Sequence, residues 1–224
     1  EVHLSSVVSD ISKVFGSNFL VLVVGIVNGF LVPRFLGIEE YALFKTFGLY
    51  AGYVGILHFG FIDGIYIKYG GMNREYVPKS QLKAELLFLL VFQSFMLIVG
   101  AIIGLASGNM ILVPVALSIL PANVITFFKF LYQATGSFGQ YAKINSFAPI
   151  LNLTATLTIV FLISVRSASL FITSVVIINY LIFSLLLLGR GRSIFNEESN
   201  RVISKSMFDT MKVGIFIMIG NLSS

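Results

Sequence analysis

The stretch Val14-Phe-Gly-Ser-Asn-Phe-Leu-Val-Leu-Val-Val-Gly-Ile-Val-Asn-Gly-Phe-Leu-Val-Pro33 decides how the chain is read, because it holds no Asp, Glu, Lys, Arg or His. A bilayer core about 30 Å thick takes about 20 apolar residues per helix, which is the length of this run. A secretory signal would be shorter, with a h-region of about 7–15 residues and a small-residue cleavage site after it. This run ends instead in Pro33-Arg34 and reads as a permanent span.

Four more runs without those side chains follow: Leu86 to Ala106, Met110 to Phe128, Ile144 to Val165 and Ser167 to Gly189. Thr46 to Ile67 carries only His58 and Asp63 as charged or imidazole side chains and reads as the second span. Val213 to Ser224 resembles the opening of a seventh. Continuous apolar runs differ from the alternating segments of about 10 residues that build membrane barrels. The expected fold is therefore all-α, a six-helix transmembrane bundle with helices at about 14–33, 46–67, 86–106, 110–128, 144–165 and 167–189. Residues 190–212 would be a cytoplasmic linker. The chain opens at Glu1 rather than Met and ends in an apolar run, so it reads as a piece of a longer protein.

Composition agrees. Of 224 residues, 57% are hydrophobic and 11% charged, with a mean hydropathy of +0.94; a soluble domain is about 25% charged. The absence of Cys removes disulfides and thiolate chemistry, and two separated His leave little for zinc. Twelve of the fifteen Lys and Arg fall before the first span or in alternate loops, against Arg34, Lys45 and Arg166 on the other side. The positive-inside rule then places the N-terminus in the cytoplasm. The net charge of +5 is topological and gives no reason to invoke nucleic acid; anionic lipid headgroups are the partners it suits.

Four Gly-xxx-Gly pairs occur, Gly25/Gly29, Gly48/Gly52, Gly60/Gly64 and Gly100/Gly104. They read as packing surfaces, since small residues let helices approach in lipid, or in the second span as points of bending. Pro114 and Pro121 in one span suggest kinks and a cavity-lining helix. A charge at membrane depth costs at least about 2.5 kcal/mol, so Asp63 is either paired to Lys68 near the interface or an ion-coupling group in a cavity. Asn28, Asn123 and Asn152 are amides within spans, suited to interhelical bonds or to a sugar-binding wall. Glu39/Glu40 and Glu197/Glu198 read as solvated pairs. No P-loop, His-Glu-x-x-His or Gly-x-Ser-x-Gly occurs, and no cofactor or enzyme site is expected.

Leu31-Val-Pro-Arg-Phe-Leu-Gly-Ile-Glu-Glu-Tyr-Ala-Leu-Phe44 resembles the turn between the first two helices of polysaccharide exporters, with Ala42 where Gly is frequent. Phe59-Gly-Phe-Ile-Asp-Gly-Ile-Tyr-Ile-Lys-Tyr-Gly-Gly71 resembles the end of the second helix in oligosaccharide-lipid flippases. Both belong to the multidrug/oligosaccharidyl-lipid/polysaccharide exporter superfamily. The resemblance implies a MATE-like transporter of two pseudo-symmetric six-helix bundles, of which this chain would be the first bundle, the linker and the start of the second. It implies translocation of a polyprenyl-diphosphate-linked oligosaccharide across the inner membrane for surface polysaccharide synthesis, with polymerase and glycosyltransferases as partners. Arg34, Lys129 and Lys45 would hold the diphosphate, Asn28, Asn123 and Asn152 the sugar, and Asp63 the coupling ion. A cation-coupled drug antiporter of the same fold and a non-transport membrane scaffold are the alternatives.

Overall fold

A computed structural model describes residues 2–163, 165–196 and 205–222. Among them there is no strand. The helices are α1 (Val2–Phe35), α2 (Ile38–Gly52), α3 (Phe61–Lys68), α4 (Lys79–Ala106), α5 (Leu112–Ala134), α6 (Phe138–Thr158), α7 (Ala168–Leu186), α8 (Arg192–Phe195) and α9 (Lys205–Leu222). Five stretches are long and apolar enough to cross a membrane: Val7–Phe35, Lys79–Ala106, Leu112–Ala134, Phe138–Ile163 and Ala168–Phe195. The protein is thus an all-helical chain with the architecture of a multi-pass membrane protein. Its outer face fits that reading, because Phe15, Phe30 and Leu188 are each about 70% exposed, and apolar exposure on that scale suits lipid rather than water.

The expected span Thr46 to Ile67 is not one helix. α2 stops at Gly52, a 3-10 turn covers Val54–His58, and α3 restarts at Phe61. Between them Phe59 and Gly60 have φ of 48° and 75°. Gly60 takes the left-handed region at little cost, whereas Phe59 is the one non-glycine among the described residues that adopts it. Apolarity persists across the break, and a hydropathy reading registers only apolarity.

α5 is the centre of the bundle. Its Val124, Phe127 and Phe128 are buried with Phe61, Ile62 and Ile65 of α3 and Leu86 and Leu89 of α4. Pro114 lies in the first turn of α5, where a missing N–H costs nothing; Pro121 alone is interior and is buried. α5 packs on α3, α4, α6 and α7 along its length, and its Phe128, Leu131 and Tyr132 line a small cavity of about 70 Å³ near its end.

The small-residue pairs divide. A Cβ on Gly100 would lie 3.1 Å from Ala116 Cβ, and one on Gly104 3.1 Å from Leu112 Cβ, so this pair seats α4 on α5. A Cβ on Gly60 or Gly64 would overlap the α9 backbone at Ile215 and Thr210, and one on Gly214 would overlap the Gly60 carbonyl. Here α3 and α9 meet backbone to backbone. Gly25, Gly29, Gly48 and Gly52 face open space.

Residues 190–196 continue from α7 as a π turn over Leu187–Gly191 and then α8. Residues 197–204, including Glu197, Glu198 and Arg201, lie outside the described residues. Helix α9 begins at Lys205, before the expected position 213. Glu40 is only partly exposed: its Oε2 accepts from the Ala168 backbone N–H, capping α7 from the start of α2.

Candidate functional site

A break between two helices interrupts the backbone ladder, and where water is excluded the bundle must supply donors. α4 and α5 do so. Gln93 Nε2 donates to the Leu57 carbonyl at 3.1 Å, and Asn123 Nδ2 donates to the Val54 carbonyl at 3.2 Å. Asn123 Nδ2 also donates to Gln93 Oε1 at 2.8 Å. Both amides are fully buried. Beside them His58 Nε2 stands 3.7 Å from Asp63 Oδ2, and both side chains are buried. His58 Nδ1, Asp63 Oδ2 and Asn123 Oδ1 have no hydrogen-bond partner among the described residues.

Asp63 therefore faces His58, and the expected partner Lys68 is engaged elsewhere. Lys68 Nζ donates to Glu85 Oε1 at 2.5 Å, and the Tyr69 hydroxyl donates to Glu85 Oε2 at 2.8 Å. Glu85 is 1% exposed. Burial and the neighbouring Glu85 carboxylate push the Tyr69 hydroxyl up, which keeps it protonated as a donor. Glu85 lies one residue before the apolar run of the third span, and its partners come from the end of the second. No local pattern marks it.

A cavity of about 300 Å³ opens between α1, α2, α6 and α7. α1 and α6 run parallel here, since Asn145 Nδ2 donates to Asn18 Oδ1 at 3.0 Å midway along α1, while further on Val32 and Ile159, the residue after α6, share one buried cluster. Between those contacts the cavity is lined by Gly25, Asn28, Asn152, Thr156 and Ser174 on apolar walls that include Phe44 and Phe171. Open Gly25 widens it. Asn152 Nδ2 donates to its own helix at the Ala148 carbonyl, 3.0 Å away. The Oδ1 atoms of Asn28 and Asn152 are buried with no partner among the described residues. Pro149 belongs to the same wall.

The structure thus unites Asn28 and Asn152 and separates the other expected residues. Asn123 and Asp63 belong to the helix break. Arg34 is exposed at the end of α1, six residues or about 9 Å along the helix from Asn28. Lys45 is exposed beside the cavity-lining Phe44, its Nζ 5.5 Å from the centroid of the Tyr41 ring. Lys129 lies at the opposite end of the bundle, its Nζ 5.7 Å from the centroid of Tyr141 in the first turn of α6. Sequence reasoning passed over Gln93 as a site residue and missed Glu85, because the groups they serve are distant in the chain.

Chemically the cavity offers two buried acceptors and two hydroxyls, and its lining carries no carboxylate or imidazole. Such a wall can hold hydroxyl donors. Among the described residues no group of three or more His, Asp or Glu stands together as metal ligands. Comparison with family models, with curated proteins and with solved structures finds no match to this chain.

Proposed function

We propose that the protein is a membrane transporter whose cargo is a polyprenyl-diphosphate-linked oligosaccharide, moved from the cytoplasmic to the outer leaflet of the inner membrane by alternating access. The observation that carries this reading is the asparagine-lined cavity at membrane depth, with the Asn28 and Asn152 carbonyls buried and without partners. Unsatisfied buried acceptors are costly, and sugar hydroxyls are the donors that would satisfy them. Broken helices are a recurring feature of transporter sites, and the second crossing has one. The resemblance of residues 31–44 and 59–71 to exporter and flippase sequences points the same way.

In this scheme the N-terminus is cytoplasmic, and Lys129 meets the diphosphate at the basic end. Arg34 and Lys45 meet it at the other, since Arg and Lys are the natural partners of phosphate. The buried His58–Asp63 pair is the group that would take a coupling proton. A drug antiporter for cationic cargo would want an acid in the wall, and the cavity lining has none.

The test is translocation of a fluorescent polyprenyl-diphosphate oligosaccharide in proteoliposomes, with and without a proton gradient. Activity is expected in the natural protein and loss of it in Asn28→Leu/Asn152→Leu at unchanged melting temperature. Failure of the natural protein to move its native carrier lipid, or full activity of the double variant, would remove the proposal.

A further inference from the structure

A second cavity lies on the other side of α6, in a groove against α7 at the basic end of the bundle, with a volume of about 390 Å³. Its floor is apolar: Ile182 and Leu186 are buried, with Ile144 beside them, while Phe147, Ile150 and Leu185 form exposed lips. Its mouth is cationic. α7 loosens into the π turn Leu187–Gly191, and Arg190 on that turn reaches across to α6, donating through Nη2 to Gln140 Oε1 at 2.7 Å. Lys143 stands one turn after Gln140 on the same helix, so ammonium and guanidinium flank one opening. Among the described residues neither is in an ion pair with a carboxylate. Gly189 at the mouth faces open space.

We propose that this groove holds one anionic phospholipid, its phosphate between Lys143 and Arg190 and an acyl chain along Ile144, Ile182 and Leu186. Charge and shape select this occupant together. A soluble phosphate would use the two cations and leave the apolar floor bare, and a hydrocarbon would use the floor and leave the cations without a counter-charge. A planar guanidinium with one edge fixed by Gln140 presents its remaining N–H groups to phosphate oxygens in the geometry that favours Arg–phosphate recognition. Basic pockets between transmembrane helices on the cytoplasmic side suit anionic headgroups, and the basic end is where most of the chain's cations gather. The site is separate from the asparagine cavity, and the proposal stands without the transport reading.

The test uses purified protein in phosphatidylcholine nanodiscs doped with phosphatidylglycerol, with retained lipid counted by native mass spectrometry. Retention of phosphatidylglycerol over phosphatidylcholine is expected, falling about tenfold in Lys143→Gln/Arg190→Gln. Ser146→Trp fills the groove without altering charge and is expected to expel the lipid. Lys13→Gln/Arg192→Gln removes two cations of the same end that do not line the groove, and is expected to leave retention intact. Equal retention of the two lipids overturns the proposal, as does an equal loss in the Lys13/Arg192 variant, which would mean diffuse surface charge. Displacement of the lipid by soluble glycerol phosphate would reduce the site to an anion site and overturn it too. So would the absence of any retained lipid, the result expected if another protein segment fills the groove. Should the charge variant fail to fold, Ser146→Trp and the glycerol phosphate competition decide.

Discussion

Asn123 of α5 and Gln93 of α4 are joined by a 2.8 Å amide hydrogen bond, and each also donates to one carbonyl of the turn between α2 and α3. The pair does the work that an unbroken helical ladder would otherwise do. Asn123→Leu and Gln93→Leu each remove a buried donor to a backbone carbonyl, and Asn123→Leu also leaves Gln93 Oε1 without its partner; each is expected to lower stability by about 1–3 kcal/mol. Because the two amides share a bond, the double variant should cost less than the sum. Unfolding in mixed detergent micelles measures this; strict additivity would mean that the two residues act independently.

The glycine pairs give a prediction of opposite signs. Gly64→Val and Gly214→Ala place atoms on the facing backbone of α9 or α3 and should lower the melting temperature. Gly29→Ala and Gly48→Ala meet nothing within 4 Å. There alanine's better helix propensity should raise stability by about 0.5–1 kcal/mol each. Equal destabilisation by all four would contradict the close α3–α9 approach.

The Lys68–Glu85–Tyr69 cluster is asymmetric, since the Lys68 side chain is 25% exposed and that of Glu85 1%. Lys68→Met strands a buried carboxylate with only the Tyr69 hydroxyl and should cost about 3 kcal/mol. Glu85→Gln leaves a lysine that can turn toward water and should cost clearly less. Chemical denaturation of the two variants compares them, and the reverse order would show that Lys68 does not neutralise Glu85.

Glu40 and Glu39 are adjacent acids with different duties. Glu40→Ala removes the acceptor at the Ala168 N–H and should cost about 1 kcal/mol, as loss of a helix cap does. Glu39 is exposed, and Glu39→Ala should stay within about 0.5 kcal/mol. Paired melting curves separate them.

Much of the architecture was legible because lipid imposes a simple rule: a span must be long and apolar, and five of the six expected spans are. The break within residues 46–67 was not legible, since it is held by Gln93 and Asn123 from other helices. Gly60 and Phe59 look like their apolar surroundings until their dihedral angles are known. Gly48/Gly52 and Gly60/Gly64 are the same motif in sequence, and only what lies opposite distinguishes them. Asn28, Asn123 and Asn152 read in the sequence as one amide set, of which the fold brings Asn28 and Asn152 together. Their meeting in one cavity depends on the parallel run of α1 and α6, which no local pattern records. Asp63 stands out in the sequence as a charge within an apolar run, but its neighbour in the fold is His58, because Lys68 pairs with Glu85.

The 3-10 turn at Val54–His58 also has a history in the making of the chain. Its two bridging donors lie 36 and 69 residues downstream of the carbonyls they satisfy. A ribosome adding about 5–20 residues per second needs about 3–14 s to cover the longer interval of 69 residues. During that time the nascent stretch 46–67 lacks the side-chain donors that reach Leu57 and Val54 in the finished fold. α2 can form early, while the turn that follows it waits for Gln93 and Asn123 to emerge. The turn between α2 and α3 is therefore tied down by residues of α4 and α5 that are synthesised after it.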